Sequence, residues 1–182
     1  MLNNNIMKKA ILAGGCFWCS EAIFQRLKGV ESIKPGYTGG NIKNPAYREV
    51  CTGRTGHAEG VEIIYNEDEV TFTTLLEVFF ATHDPTTLNR QGADVGTQYR
   101  SGIFYTSAAQ KQQAEAFISE LTKQQFFGNP IVTEITPFEV FYDAEEDHLD
   151  YYNQNSEQQY CDFTITPKLA KLKQLFSDKL KN

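Results

Sequence analysis

The stretch Lys9-Ala10-Ile11-Leu12-Ala13-Gly14-Gly15-Cys16-Phe17-Trp18-Cys19 decides how the fold begins. Its apolar first half is typical of a buried strand, its two glycines indicate a turn, and residues 20–27 have the pattern of an amphipathic helix. Cys16 is therefore predicted at or near a helix N-terminus. Free backbone N–H groups and the positive end of the helix dipole favour an anion there, so we expect a thiol that ionises readily.

The rest of the chain alternates between predicted strands and helices. Strands are predicted at residues 6–13, 30–37, 59–65, 99–105, 131–135 and 138–142, and helices at residues 17–28, 71–82, 107–127, 145–152 and 167–180. The helix at 71–82 has the clearest pattern, because its five large apolar residues recur at the spacing of one buried face. Residues 36–45 and 83–98 are predicted as loops. This order predicts a two-layer α+β domain with long functional loops and a flexible extension at residues 1–6.

Length, charge and cysteine content narrow the class of protein. A chain of 182 residues with 41% apolar and 22% charged residues is typical of one globular domain, here residues 1–182. The net charge of −6 argues against nucleic-acid binding. The apolar run before Gly14 is too short for a signal peptide or a membrane span. The four cysteines do not have the regular spacing of a disulfide framework, which favours free thiols in a reducing compartment. We therefore expect a cytoplasmic protein.

Four stretches combine glycine, aromatic and ionisable residues at loop positions; they are residues 14–19, 47–60, 92–101 and 147–161. In the second, the period of a strand places Glu59 on the same face as Val61 and Ile63. Its carboxyl group is then partly buried, its pKa is raised, and it can act as a general acid. The alternative is an ordinary exposed glutamate at the entrance of a strand. In the third, the Tyr99 hydroxyl points either to the rim of the core or into a site.

The Cys16-Phe17-Trp18-Cys19 segment also has the Cys-x-x-Cys spacing of thioredoxin-like oxidoreductases. The bulky Phe-Trp pair fits that motif poorly, because compact or turn-forming residues are usual there. A zinc site lacks a second pair of ligands at suitable spacing. His83 and His148 are isolated and are predicted to serve as capping or hydrogen-bonding residues. No nucleotide-binding signature is present in the sequence.

Five blocks together resemble the peptide methionine sulfoxide reductase A family, in the order and spacing of that family. They are Gly14-Gly15-Cys16-Phe17-Trp18, Gly36-Tyr37-Thr38-Gly39-Gly40, Tyr47-Arg48-Glu49-Val50-Cys51, Thr55-Gly56-His57-Ala58-Glu59 and Gly96-Thr97-Gln98-Tyr99-Arg100-Ser101. The resemblance runs from about Lys8 to Cys161. It implies a two-layer α+β sandwich with a ferredoxin-like core. It also implies a monomeric enzyme that reduces methionine S-sulfoxide, free or in proteins, without a bound cofactor or metal.

The resemblance carries roles to individual residues. It implies that Cys16 attacks the sulfoxide sulfur and is left as a sulfenic acid, while Glu59 supplies a proton to the oxygen. The other matched positions are Tyr47 and Tyr99, whose hydroxyls hold the oxygen, Phe17 and Trp18, which form the walls of a pocket for the methyl group, and Asp94, which contacts the backbone amide of the substrate.

Two cysteines are candidates for resolving the sulfenic acid. The resemblance favours Cys161, which is predicted on a mobile loop, and thioredoxin or another dithiol then reduces the disulfide. Cys19 is the alternative and a departure from the family pattern, since many relatives have glycine there. In a regular helix we expect Cys19 to point along the helix body, away from Cys16. Cys51 is expected to be a buried structural thiol.

Overall fold

The computed structural model describes residues 6–182 and has mixed α+β architecture, as predicted. Its strands are β1 Met7–Gly14, β2 Val30–Thr38, β3 Ala58–Asn66, β4 Arg90–Gln91, β5 Asp94–Val95, β6 Ser101–Tyr105, β7 Glu134–Pro137 and β8 Phe141–Asp143. Its helices are α1 Phe17–Phe24, α2 Tyr47–Cys51, α3 Phe72–Thr82, α4 Ala108–Lys123, α5 Tyr151–Gln154 and α6 Thr166–Phe176. A flexible extension was predicted at residues 1–6, and residues 1–5 of it lie outside the described residues.

Six strands form one sheet in the order β7-β6-β1-β3-β2-β8. Only the β6–β7 pair is parallel, and the other four pairs are antiparallel. In the β1–β3 register Leu12 lies opposite Val61, and in the β2–β3 register Tyr37 lies opposite Glu59. The central position of β1 and β3 explains why β3 is almost completely buried and why β1 is buried from Ala10 onward.

The sheet has apolar side chains on both faces. Ala10 and Leu12 of β1 join the larger cluster, which also contains the buried side chains of α1 and α3. Ile11 and Ala13 point the opposite way and join a smaller cluster with Phe104. This alternation is the period of two that a strand imposes on its side chains. The N-terminal apolar run is therefore continuous because both faces of its strand are covered.

The helix at 71–82 is confirmed, with Thr71 as its N-cap and its five large apolar residues buried. The helix that follows Ser107 is confirmed too, although it ends at Lys123. At its start Ser107 Oγ accepts from the Gln110 N–H, and Gln110 Oε1 accepts from the Thr106 N–H.

The first helix departs from its prediction in length and in environment. It ends at Phe24, because the chain turns toward Gly29, whose φ of +90° favours glycine. It is also not amphipathic, since seven of its eight residues are buried. It lies between the sheet and the C-terminal helical segments, which cover the side that an isolated helix would expose to water.

Several other element boundaries differ from the predictions. The segment 99–105 begins as a single helical turn at Thr97–Tyr99 before β6, and the segment 145–152 divides into a turn at Glu146–His148 and α5. The strands predicted at 131–135 and 138–142 shift to β7 and β8. The short helix α2 and the β4–β5 hairpin occur in segments predicted as loops. Such short elements depend on tertiary contacts, which periodicity does not detect.

Cys161 does not lie on a loop, which corrects the prediction. Cys161–Ile165 forms a π-helical turn that continues directly into α6. The Asp162 N–H donates to the Gln158 carbonyl group, so helical hydrogen bonding starts before the turn. Within residues 6–182, no helix is long and apolar enough to cross a membrane.

Candidate active site

Cys16 is the N-cap residue of α1 and lies at the end of the turn that follows β1. Its backbone is extended, at φ −58° and ψ 128°, and its carbonyl group accepts from the Cys19 N–H at 3.1 Å. Gly15 must be glycine, because its φ is +96° and a Cβ would lie 2.7 Å from Gln91 Cγ. The side chain of Cys16 is 9% exposed. The sequence prediction of a cysteine at the helix start is confirmed.

Glu59 lies in the β3 strand, on the same buried face as Val61 and Ile63, as the period of two predicts. Its carboxyl oxygen Oε1 accepts a hydrogen bond from the Phe17 N–H at 3.1 Å. Burial raises the pKa of Glu59 to about 8, although the Phe17 N–H opposes the rise. The carboxyl group is therefore mostly protonated at neutral pH, which is the state a proton donor requires.

The Cys16 thiol does not ionise readily in this state, which corrects the expectation from the helix dipole. Burial raises its pKa well above the ordinary value, and the contact with Cys19 and the charge of Glu59 add to the rise. Interaction with the neighbouring Cys16 lowers the pKa of Cys19, partly against burial. Loss of water around a nearly buried sulfur outweighs the dipole of one short helix. The expectation that Cys19 points away from Cys16 along the helix is wrong, because Cys16 itself is not helical.

Tyr47 is positioned by α2, whose first turn is fixed by Glu145. The Tyr47 N–H donates to Glu145 Oε2 at 2.9 Å, and the Tyr37 hydroxyl donates to Oε1 of the same carboxylate at 2.9 Å. Burial raises the pKa of the Tyr47 phenol, and the charge of Glu59 contributes to the rise. The phenol therefore remains a neutral hydrogen-bond donor near Glu59.

Tyr99 reaches the same region from the turn at Thr97–Tyr99. Thr97 Oγ1 donates to the Gly53 carbonyl group at 3.0 Å, and Gln98 Nε2 donates to the Cys51 carbonyl group at 3.2 Å. These bonds attach the Tyr99 turn to the end of α2. Burial raises the pKa of Tyr99 as well, and the charge of Glu59 makes the second-largest contribution to this rise. This phenol is therefore also neutral.

Phe17 and Trp18 form an aromatic layer with His148. Phe17 is 1% exposed, and its ring centroid lies 5.2 Å from that of His148 and 6.5 Å from that of Tyr47. Trp18 is only partly buried, stacks on Tyr151 with centroids 3.7 Å apart, and donates from Nε1 to His148 Nδ1 at 3.1 Å. His148 is thus a hydrogen-bonding residue, as predicted, and the sequence did not indicate its place beside Trp18.

Asp94 and Cys161 are both connected to Cys19, Asp94 through the side chain of Tyr160 and Cys161 through a shared buried cluster. Asp94, on β5, accepts a 2.6 Å hydrogen bond from the Tyr160 hydroxyl, which lies 4.0 Å from Cys19 Sγ. Cys161 is fully buried in a cluster with Cys16, Cys19, Ala22 and Ile165. All four cysteines of the chain are free thiols. Cys51 is exposed, so its interpretation as a buried structural thiol is wrong.

Comparison with known proteins places this arrangement in a family. The family model described as peptide methionine sulfoxide reductase matches residues 8–180. The peptide methionine sulfoxide reductase MsrA of Chromobacterium violaceum is 53% identical over 97% of this chain and 100% of its own length. That of Deinococcus radiodurans is 52% identical over 96% of this chain and 84% of its own length.

The chain belongs to the peptide methionine sulfoxide reductase family.

Solved structures of this family agree with the fold. Reduced Mxr1 from Saccharomyces cerevisiae superimposes with a TM-score of 0.81 at 37% identity, over 88% of this chain and 92% of that one. The structure of Mxr1 in complex with Trx2 gives a TM-score of 0.58 at 29% identity, over 83% of this chain and 88% of that one. The relatives named MsrA are oxidoreductases, and this chain shares their family.

The sequence of this reductase did not indicate Glu145 or Tyr160 as site residues, and it gave no partner for His148. All three lie in the C-terminal part of the chain and act on residues more than sixty positions earlier. Their stretch was recognisable as rich in aromatic and ionisable residues, but it contains no signal for their partners. Among residues 6–182, no group of three or more His, Cys, Asp or Glu is placed to hold a metal ion.

The raised pKa of Glu59 makes stability dependent on pH. Below its ordinary pKa of about 4.5 both folded and unfolded chains hold the proton, and between 4.5 and about 8 only the folded chain does. Stability is therefore lost as pH rises through this window. We expect the free energy of unfolding of wild type, relative to E59Q, to fall by about 4 kcal/mol between about pH 5 and pH 9.

Urea unfolding at a series of pH values measures this difference. The matched control is E69Q, which removes an exposed carboxylate and should leave the pH dependence of wild type in place. Parallel curves for wild type and E59Q would show that Glu59 is ionised in the folded protein at neutral pH.

Proposed function

We propose that this chain reduces methionine S-sulfoxide, free and in oxidised proteins, with Cys16 as nucleophile and Glu59 as acid. The observation that carries the proposal is the protonated, buried Glu59 bonded to the N–H of the residue after Cys16. This pairing suits a reaction in which sulfur is attacked while the oxygen bound to it takes up a proton. The family membership of the chain supports the same chemistry.

The electron balance assigns each group a role. The Cys16 sulfur attacks the sulfoxide sulfur, the oxygen passes from that sulfur to the Cys16 sulfur, and methionine leaves as Cys16 becomes a sulfenic acid. The proton that leaves the Cys16 thiol replaces the one that Glu59 donates. The sulfoxide sulfur gains two electrons and Cys16 loses two. Glu59 protonates the oxygen, and the neutral phenols of Tyr47 and Tyr99 donate hydrogen bonds to it. Three donors stabilise the negative charge that develops on that oxygen.

The surroundings of Cys16 also support discrimination between epimers. The hydroxyl groups lie around Glu59, whereas Phe17 and Trp18 offer an apolar surface for the methyl group. A chiral sulfur whose oxygen and methyl group are both fixed presents its third substituent in one direction only. Asp94 is proposed to contact the backbone amide of the substrate. The choice of the S-epimer rests on the family resemblance.

The sulfenic acid must be converted into a disulfide before the next turnover. We propose that Cys161 is part of this disulfide and that thioredoxin or another dithiol reduces it, without a bound cofactor. The shared cluster of Cys16, Cys19 and Cys161 supports the role of Cys161. The yeast relative solved in complex with Trx2 supports thioredoxin as reductant. A sulfenic acid is a poorer substrate for such a partner than a disulfide.

A general thiol–disulfide oxidoreductase is the second candidate function, since Cys16 and Cys19 are in contact. That activity needs neither Glu59 nor the phenols, so these groups favour sulfoxide reduction. Release of methionine separates the two functions.

We also propose that residues 1–182 form one monomeric domain with a ferredoxin-like core. The order β6-β1-β3-β2, with α1 between β1 and β2 and α3 between β3 and β6, supports that core. Four free thiols and a dithiol reductant suit a reducing compartment, so the cytoplasm is the proposed location.

Replacement of the nucleophile tests the function directly. We expect wild type with dithiothreitol to release methionine from methionine S-sulfoxide and C16S to release none, because a hydroxyl group near neutral pH supplies almost no anionic nucleophile. Chromatography of methionine measures the product, and chiral analysis of the residual sulfoxide measures the epimer. Release by C16S within a few-fold of wild type contradicts the proposal.

Replacement of the acid separates proton transfer from binding. We expect E59Q to lower the rate of the first chemical step by about 10²–10⁴-fold, because an amide donates a hydrogen bond but transfers no proton. Rapid-quench measurement of methionine in a single turnover gives this rate. W18A is the matched comparison, and it should act mainly on substrate affinity. An unchanged burst in E59Q would assign the proton donor elsewhere, with Tyr47 and Tyr99 the next residues to test.

Removal of Cys161 separates the first turnover from recycling. We expect C161S to release one methionine per enzyme at the wild-type rate, since attack by Cys16 needs no second thiol. Steady-state turnover with thioredoxin should collapse, because the disulfide that thioredoxin reduces is not completed. The two measurements on one preparation check this, and wild-type turnover with thioredoxin in C161S would remove Cys161 from the cycle.

A further inference from the structure

A buried carboxyl group on α1 has no role in the proposed reaction. Glu21 is the fifth residue of α1 and is only 4% exposed. It lies one turn after Trp18, so the two side chains leave the same face of the helix. A glutamate is rarely buried without a partner, because the loss of water around its carboxyl group costs free energy. The burial of Glu21 therefore requires partners in the segment that covers this face.

The partners of Glu21 lie at the start of α5. The N–H groups of Asp150 and Tyr151 face its carboxyl group as hydrogen-bond donors. Asp150 is the N-cap residue of α5 and has the left-handed backbone conformation, at φ +53°. The first N–H groups of a helix have no acceptor within that helix. Glu21 thus supplies an acceptor to donors that its own helix would otherwise cover and leave unpaired.

The ring of Tyr151 connects this contact to the substrate pocket. It stacks on Trp18 with ring centroids 3.7 Å apart and 6° between the ring planes. Trp18 and Glu21 therefore meet the same residue of α5, Trp18 through its ring and Glu21 through the backbone N–H. A second attachment of α5, the 2.8 Å bond from Arg26 to Asn153, is exposed. Water competes for the groups of that bond, so the buried attachment is the stronger constraint on α5.

We propose that Glu21 is a positioning residue that holds the start of α5, so that Tyr151 keeps Trp18 in the orientation of a wall for the methyl group. This inference rests on the proposed function, in which Trp18 forms that wall. Glu21 acts through Tyr151 and not on the reacting atoms. The indole of Trp18 is then fixed by Tyr151 on one ring face and by His148 at Nε1. A wall that is ordered before the substrate arrives costs less free energy on binding.

The charge state of Glu21 determines how well it serves both N–H groups. An ionised carboxylate only accepts hydrogen bonds, whereas a protonated carboxyl group uses one oxygen as a donor. Burial raises the pKa of Glu21 to about 7, the N–H groups of Asp150 and Tyr151 oppose the rise, and the charge of Asp150 adds to it. We therefore expect the contact between Trp18 and Tyr151 to loosen as pH falls through this value.

Fluorescence measures this contact without a label, because Trp18 is the only tryptophan of the chain. We expect the emission of wild type to change with a midpoint near pH 7, and E21Q to lack this transition, because an amide does not titrate. D150N should move the midpoint to lower pH, since it removes a charge that raises the pKa of Glu21. Asparagine tolerates the left-handed backbone of that position.

Two other titratable groups lie near Trp18 and require controls. Glu59 accepts from the Phe17 N–H, and His148 accepts from Trp18 Nε1. E59Q and H148N remove these titrations, and H148N retains an acceptor for the indole. The transition near pH 7 should persist in both variants. A transition that remains in E21Q, or that disappears in E59Q or H148N, would overturn the role of Glu21.

Kinetics at about pH 8 measure the effect on the reaction. E21A should raise KM for methionine S-sulfoxide by about two- to tenfold, the worth of one aromatic pair. Its saturated single-turnover rate should stay within about twofold of wild type, since the lost interaction acts on binding. E21Q retains an acceptor and should restore the wild-type KM. An unchanged KM in E21A, or an equal rise in E21Q, contradicts the proposal.

The two kinds of measurement separate the possible failures. The fluorescence of E21Q tests the role of Glu21 even if E21A does not fold, and it needs no turnover. Wild type that shows the fluorescence transition but releases no methionine would contradict the proposed function, while the contact between Glu21 and α5 would stand.

Discussion

The hydrogen bond from the Phe17 N–H to the Glu59 carboxyl group is the contact on which the arrangement of this site depends. It joins the central strand β3 to the first turn of α1 at 3.1 Å. Burying a carboxyl group on the face of Val61 and Ile63 costs free energy unless the group has a hydrogen-bond partner. The first turn of a helix provides one, because its N–H groups have no acceptor within the helix. Because Phe17 directly follows Cys16, the same bond fixes the acid beside the proposed nucleophile. The packing of α1 on the sheet therefore sets the geometry of the chemistry.

Burial raises the pKa of both groups in that pair, so the resting site carries its protons. Glu59 is mostly a carboxylic acid at neutral pH and Cys16 is a thiol. A thiol reacts with oxidants far more slowly than a thiolate, which protects Cys16 from oxidation in the absence of substrate. In the proposed mechanism, a sulfoxide oxygen beside Glu59 takes up the proton of Glu59 as Cys16 attacks the sulfur. Activation of Cys16 would then depend on the presence of the substrate.

The sequence predicted the parts of the structure whose causes are local. The face of Glu59 follows from the period of β3, and the buried face of α3 follows from its helical spacing. The helix start at Cys16 follows from two glycines after an apolar run. These features depend on residues within a few positions of one another, and their patterns are therefore visible in the chain alone.

The features that the sequence missed depend on contacts between distant segments. The complete burial of α1 is imposed by the C-terminal helices, and the support of Tyr47 comes from Glu145. Cys161 was predicted on a loop between the helices predicted at 145–152 and 167–180, yet the segment that carries it is helical and packs against α1. The pKa of Cys16 was misjudged for the same reason, since burial is a property of the assembled fold.

The C-terminal third of the chain completes a site whose reacting residues lie in the first third. Glu145 orients Tyr47, His148 accepts from Trp18, and Tyr160 lies between Cys19 and Asp94. These contacts act on Tyr47, Trp18 and Cys19, so docking of one segment organises all three parts of the proposed site. That segment also carries Cys161. If Cys161 forms the proposed disulfide, the bond is made in the same segment that supports Tyr47 and Trp18.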